Sequence, residues 1–470
     1  MRLSKRTPAR RAPGARSGRR LLAAGVSAAT AGLVLGAVPA GASHGTSVHR
    51  VDTTADTADV APGDGWCADA AGDCSLRAAV QEANAGGGAA RIQLAADTTY
   101  SLDLTGSGTD DAATGDLDVV GTLTISGAGA VIDLESLGDR AFDVHPGASL
   151  QVSRLGIMNG ASPVGESGGA IANAGRLTTD RLIAHDNVAE GEGASGGAIF
   201  NEGTARIIRS ELFANSATRA GGAVEANGGI TKIVQSTLSG NTTGPMPGNG
   251  GALHLTGDGY VAVTDSHITD NVAASEGGGL WNSAVGTMDV VRSTITGNVA
   301  NGTDADTGGG GLFNDGGVLT VDHSTVSDNE AVMGSASGGG VLNLGLFRAT
   351  HTDIDRNVSA RAGGGVEASD VNGGGDSILR YVSLVGNATG AAPGNGGAVH
   401  VTGSSVETII KFAEITGNTA ANEGGGLWNF EDATMTVTNS TIEGNVAPVG
   451  ADVFQNGAGG QFTIDGSSVN

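Results

Sequence analysis

Two marks return along this chain at a near-constant interval, and together they limit what it can fold into. The first is a Gly-Gly-small-aliphatic run: GGAIAN at 168, GGAIFN at 196, GGAVEA at 221, GGALHL at 250, GGGLWN at 277, and on to GGAVHV at 396 and GGGLWN at 424. The second is an S-T-I-x-G-N-like run with asparagines at Asn159, Asn187, Asn215, Asn241, Asn271, Asn298, Asn329, Asn357, Asn387, Asn418 and Asn445. From Asn159 to Asn445 is 286 residues over ten steps, or 28.6 per step. A unit of that length cannot bury its apolar face alone, so copies must stack. Within a unit the apolar residues alternate, as in MDVVRSTITGN, over segments too short for helices. Short strands broken by Gly and Asn turns describe the coils of a parallel β-solenoid, each about 4.8 Å above the last. Identical positions then stack, so the asparagines are expected to form one ladder of amides along the axis. The paired glycines admit a turn whose backbone angles other residues resist.

Composition agrees with this reading. Glycine makes up 82 of 470 residues and aromatics only 3%, yet there is no G-X-Y period for collagen, and the regular apolar spacing opposes disorder. Residues 1–42 read as a signal peptide: eight basic residues and no acid, then an apolar run from Leu21 to Val38 and Ala40-Gly41-Ala42 as a cleavage site. Arg19-Arg20 leaves Sec and Tat export both open. Without that segment Lys+Arg falls from 25 to 17 against 49 Asp+Glu, a net charge of about −32. Such a field disfavours nucleic acid and anionic membranes as partners. No further apolar run is long enough to span a bilayer, so the mature chain is expected to be extracellular.

Cys67 and Cys74 lie seven residues apart, and in an exported chain they are expected to form a disulfide. Residues 43–62 read as a flexible linker and 63–112 as an N-terminal cap. In CSLRAAVQEANA, residues 74–85, Leu76, Ala79, Val80 and Ala83 fall on one face of an amphipathic helix with Ser75 as N-cap. Residues 113–470 carry the solenoid itself, about thirteen coils, making the chain all-β apart from the capping helix.

CSLRAAVQEAN resembles the CSLREA motif that opens many bacterial secreted β-helix proteins, with Ala78 where that motif has Glu. GDLDVVGTLTISGAGAVID, residues 115–133, is similar to the first coils of the same group. The GGA[ILV] and S-x-x-x-x-N repeats resemble those of polymorphic membrane proteins and other right-handed parallel β-helices of the pectin-lyase-like superfamily. The resemblance covers roughly residues 63–470. It implies a right-handed parallel β-helix and says little of activity, since that superfamily holds lyases, hydrolases and adhesins.

A longer period overlies the first. The residue after the conserved-in-kind aliphatic position runs Ala172, Phe200, Glu225, His254, Trp281, then Phe313, Leu342, Glu367, His400, Trp428. Glu-His-Trp thus occurs twice, five coils apart. Strand alternation points the aliphatic residue inward and its neighbour outward. Glu225, His254 and Trp281, and again Glu367, His400 and Trp428, are therefore expected to form exposed columns that could bind an extracellular glycan or matrix component.

The alternative is an enzyme. A polysaccharide lyase would use His254 or His400 as base, with Arg219 or Arg361 stabilising the enolate. A glycoside hydrolase needs two carboxylates, for which Glu225 and Glu276, ~10 Å apart along the axis, are the candidates. Duplication weighs against catalysis, and strong negative charge against a polyuronate. Asp304-x-Asp306-x-Gly308 hints at calcium but lacks the remaining ligands of a known loop; no other cofactor is expected. Asp265-Ser266-His267 and Asp322-His323 read as surface decoration. The adopted reading is a secreted, binding or surface-structural β-helix.

Overall fold

The fold is taken from a computed structural model that describes residues 46–106 and 111–470. The expected signal peptide lies outside those residues. The chain winds as a right-handed parallel β-solenoid of about thirteen turns. The coil containing GNGGALHLTG is representative. Its strands are Leu253–Thr256, Tyr260–Thr264, His267–Thr269 and Val272–Ala273, and each pairs in parallel with the equivalent strand of the neighbouring coils. The strands that follow the double glycines build a 13-stranded sheet, the next two strands of each coil a 26-stranded one, and the two-residue strands a nine-stranded one.

Alternation decides what faces inward. Leu253, Leu255, Val261, Val263 and Ile268 are fully buried in one continuous core, while the residues between them on the long sheet stay part-exposed. Each such side chain is worth about 1.5–3 kcal/mol over leaving it in water, so a one-residue slip in any coil would be prohibitive. The glycine turn is as expected, with an added reason. Gly250 has φ +65°, and a Cβ there would sit 2.9 Å from the Cβ of His254. The turn folds back across the first strand so closely that only hydrogen fits.

The asparagine ladder is present from Asn187 to Asn445. Asn271 Nδ2 donates to Asn298 Oδ1 at 2.9 Å, Asn298 to Asn329 at 2.9 Å, and the pattern repeats through Asn418 to Asn445 at 2.8 Å. The backbone N–H of each coil's asparagine donates to the same oxygen, as at Asn271 (3.0 Å). Asn159 is not part of it. It takes φ +60° and donates to Asp133, while the neighbouring Gly160 N–H reaches Asn187 Oδ1 instead. A serine ladder runs alongside, the backbone N–H of Ser236 donating to Ser266 Oγ and that of Ser266 to Ser293 Oγ, both 3.1 Å. These are the S and N of the S-T-I-x-G-N run.

The capping helix spans Leu76–Ala85, and Ser75 Oγ accepts from the Ala78 N–H at 2.9 Å. It is less amphipathic in place than its pattern suggests, because its polar side is buried as well. Arg77 is fully buried and donates through Nε to Asp56 Oδ1 at 2.7 Å. That pairing corrects the linker assignment. Ser47–Arg50 is a strand paired with Ala89–Gln93, and Asp56 is a buried partner of the cap. The cap therefore begins near residue 47, and its polar ligands to the helix lie in the stretch expected to be flexible. The Cys67–Cys74 disulfide is formed. Among the described residues no helix is long and apolar enough to cross a membrane.

The ladder makes a contrast that unfolding can read. Asn298→Ala orphans the buried backbone N–H and one Nδ2 hydrogen of Asn271 and should cost at least about 2 kcal/mol in denaturant unfolding. Asn159→Gly keeps the positive φ and loses one half-buried bond, so it should cost under about 1 kcal/mol. Equal losses would mean the ladder does not carry coil-to-coil stability.

Candidate functional site

The residues following the inward aliphatic positions form one continuous row on the 13-stranded sheet. Register places Asp118 beside Asp143, then Ala172, Phe200, Glu225, His254 and Trp281 in succession, and the row continues through Phe313, Leu342, Glu367, His400 and Trp428. The order expected from the repeat is therefore realised in space, and the Glu-His-Trp blocks are built twice.

Their exposure is not as expected. Glu225, His254 and Trp281 are 0%, 3% and 8% exposed, and Glu367, His400 and Trp428 are 1%, 3% and 5%. Alternation sends these side chains away from the core, but it does not say what lies over them. Two things cover them. The glycine turn of each coil presses on the row, with a Cβ on Gly277 lying 3.0 Å from that of Trp281 and one on Gly396 lying 2.7 Å from that of His400. The coil spacing also lets rings close over each other. His254 stacks on Trp281 at 4.2 Å between centroids, and His400 on Trp428 at 4.1 Å. Trp281 in turn stacks on Phe313 at 6.0 Å, and with Leu342 and Leu344 these form a small apolar cluster outside the main core.

In the first copy the polar members satisfy one another. His254 Nδ1 lies 3.0 Å from Glu225 Oε2, Thr256 Oγ1 donates to Glu225 Oε1 at 2.6 Å, and Arg219 approaches the same carboxylate at 3.8 Å. In the second copy His400 Nδ1 lies 2.8 Å from Glu367 Oε2 but is not aligned to hydrogen-bond it, and Arg361 Nη1 donates to Oε1 at 3.3 Å. Trp281 Nε1 donates to Glu276 Oε2, and Trp428 Nε1 to Glu423 Oε2, both at 3.0 Å. Arg219, Glu225 and His254 are thus brought together, as are Arg361, Glu367 and His400, but as closed ion-pair clusters. Glu225 and Glu276 are each held by their own partners. A polymer could reach none of the buried pairs without lifting the turns above them. The histidines and tryptophans of both blocks pack between coils, while the Arg219 and Arg361 side chains stay part-exposed at the edge of each cluster.

The row opens at Ala172, where the side chain is too small to close it. A cleft of about 410 Å³ lies there, lined among others by Arg140, Asp143, His145, Glu166, Phe200 and Glu202. With only a methyl group on the adjacent coil, the Phe200 ring borders the cleft instead of a neighbouring ring. The opposite side is acidic. Arg140 is nearly buried among Asp116 and Asp139, both 3.5 Å away, Asp143 at 3.9 Å, and Glu166, which accepts from its Nη2. His145 Nε2 lies 2.9 Å from Asp118 Oδ1.

Burial dominates the electrostatics of this cluster. It pushes the Asp116 carboxyl up to about 8, helped by the charge of Asp139. Asp139 and Asp143 are also raised, chiefly by burial and against the pull of Arg140. Burial works against the Arg140 charge too, but Asp116, Asp139 and Glu166 more than offset it and raise its pKa. Asp116, behind the lining residues, therefore favours its protonated form at neutral pH, and the cleft itself sets the Asp143, Glu166 and Glu202 carboxyls and the Arg140 guanidinium around one aromatic face.

Sequence reasoning did not find this cluster. The double-glycine mark begins at Gly168, so Asp118 and Asp143, on coils without that mark, were not aligned to the row. The available signal was Ala172 itself, the one small residue in the row from Ala172 to Trp428. Asp304 lies in a turn closed by Thr307, whose Oγ1 accepts the Asp304 N–H at 2.9 Å. Comparison with family models, curated proteins and solved structures finds no match to this chain, so no residue role is transferred from a relative.

The Glu276 carboxyl gives a pH test of the closed row. Burial raises it from 4.5 to about 7 despite its bonds from Trp281 and Asn249. The folded state then holds a proton that the unfolded chain has already released, so stability falls as pH rises between about 4.5 and 7. Glu276→Gln keeps an oxygen for both donors and removes the titration. Its melting temperature should fall less than that of the parent from pH 4.5 to 7.5. An unchanged pH profile would place Glu276 in solvent.

Proposed function

We propose that this protein is an extracellular glycan-binding β-solenoid whose site is the cleft over Ala172. One observation carries the reading: the outward row is closed by turns and stacked rings at Glu-His-Trp and opens where Ala172 leaves Phe200 uncovered beside carboxylates. An aromatic face takes the apolar side of a sugar ring, while Asp143, Glu166 and Glu202 accept from its hydroxyls. The acidity of the cleft and the chain's negative charge favour a neutral sugar over a uronate. Export, inferred from the N-terminal residues, and a disulfide of the kind found outside the cytosol agree with an extracellular setting. The CSLREA-like and glycine-repeat motifs point the same way, toward secreted β-helix proteins of the pectin-lyase-like type.

A second reading, glycoside hydrolysis, is favoured by the raised carboxyls of Asp116 and Asp143 near Glu166. Burial that keeps Asp116 protonated supplies the acid form that one of the two carboxyls in glycosidic cleavage needs.

A neutral-glycan array, with polygalacturonate as the charged comparison, tests both. Phe200→Ala should weaken the best array signal at least about ten-fold, a loss of roughly 1.4 kcal/mol. Ala172→Leu, which fills the opening, should remove binding while the protein stays folded. Retained binding in both variants, or a preference for polygalacturonate, would sink the proposal. Release of new reducing ends, lost in Asp143→Asn, would convert binding into hydrolysis.

A further inference from the structure

Far from the Ala172 cleft in sequence, the 26-stranded sheet carries a second stacked column, and this one faces solvent. At one corner of each coil a residue with left-handed backbone joins the two strands of that sheet: Asp265, Arg292, His323, His351, Tyr381 and Phe412, with φ between 47° and 55°. Side chains at this corner project outward and meet their counterparts on adjacent coils. Asp265 and Arg292 are matched in charge, Arg292 donating through Nε to Asp265 Oδ1 at 2.7 Å and through Nη2 to Oδ2 at 3.0 Å. Tyr381 and Phe412 are matched as stacked rings at 4.8 Å.

Between them sit two histidines, stacked at 4.6 Å, with the far face of His351 covered by Tyr381 at 4.9 Å. Stacking leaves only the ring edges open, and on an imidazole those edges carry the nitrogens. His323 Nδ1 already lies 2.9 Å from Asp322 Oδ2. One donor atom from each of Asp322, His323 and His351 lies within 4.8 Å of the other two. A bound cation would take one nitrogen from each ring and use the carboxylate to balance its charge.

We propose that Asp322, His323 and His351 form a binding site for a borderline divalent cation of the zinc, nickel or copper kind. Imidazole nitrogens with one carboxylate suit those ions over calcium or magnesium, which prefer all-oxygen sets. Bonds of about 2.1 Å require donors no more than about 4.2 Å apart, so binding needs a modest turn of one ring out of the stack. The His323 side chain is 57% exposed and free to make that turn. Three protein ligands leave a fourth position for water or for a donor from another molecule.

Zinc chloride titrated calorimetrically into the untagged protein, with the histidine ring resonances followed by NMR, tests the site. Asparagine is the replacement of choice because it tolerates positive φ, so folding is preserved. The parent should bind one zinc ion saturably, with shifts in the His323 and His351 resonances. His323→Asn or His351→Asn should weaken binding at least about ten-fold, and the double variant should lose the saturable site. Asp322→Asn should weaken it while leaving both ring shifts. The proposal is overturned if the parent takes up no zinc, or if the double variant binds with the parent's affinity and stoichiometry. Because these residues lie outside the cleft, glycan binding should not change in either variant.

Discussion

At one corner of every coil from Asn187 onward, a buried carboxamide is fully used, and the spacing of everything else follows from it. Asn271 Nδ2 gives one hydrogen to Asn298 Oδ1 on the next coil and another to the Leu238 carbonyl on an earlier one. Its own oxygen accepts both the backbone N–H and the Nδ2 of Asn241. No polar atom of the amide is left over, so the corner can be dry, and a dry corner permits only one register. Coils so fixed put like positions about 4.8 Å apart, near the distance at which flat rings stack. His254 on Trp281, His400 on Trp428 and the chain His323–His351–Tyr381–Phe412 are consequences of that coincidence.

Whether an outward side chain reaches solvent then depends on what crosses over it. On the 13-stranded sheet the glycine turn lies against the row, so large residues become a second layer of packing, and their charged neighbours must pair locally, as Glu225 does with His254. A buried polar pair of this kind adds little net stability but is costly to break, because either partner left alone is an unsatisfied buried group. On the 26-stranded sheet no such turn intervenes at the His323 corner, and the stacked rings there keep their edges in water. The same periodicity yields a sealed column on one face and an open one on another.

Much of this was legible in the residues. The 28.6-residue interval and its alternation were enough for a parallel solenoid, and the Ser75 cap and the Cys67–Cys74 bridge were recognisable from local chemistry. Direction was legible too, since Leu253 inward and His254 outward follows from strand geometry. Cover was not, because the fold-back of Gly250 over His254 is a matter of backbone approach that no residue letter encodes. Asp56 reads as part of a polar tail until Arg77, 21 residues on, is seen to need it. The acids from Asp116 to Asp143 stood on coils lacking the repeat marks. His351 gained its meaning only through register with His323.

That the row is sealed at both duplicated blocks is tested most directly by the indoles themselves. The chain has three tryptophans, and Trp66, 76% exposed, is the accessible one. In Trp66→Phe the remaining fluorescence comes from Trp281 and Trp428 alone. Acrylamide quenching of that variant should be close to that of a fully buried indole, with blue-shifted emission. Quenching as strong as that of an indole in water would contradict the closed row and return Glu-His-Trp to the surface.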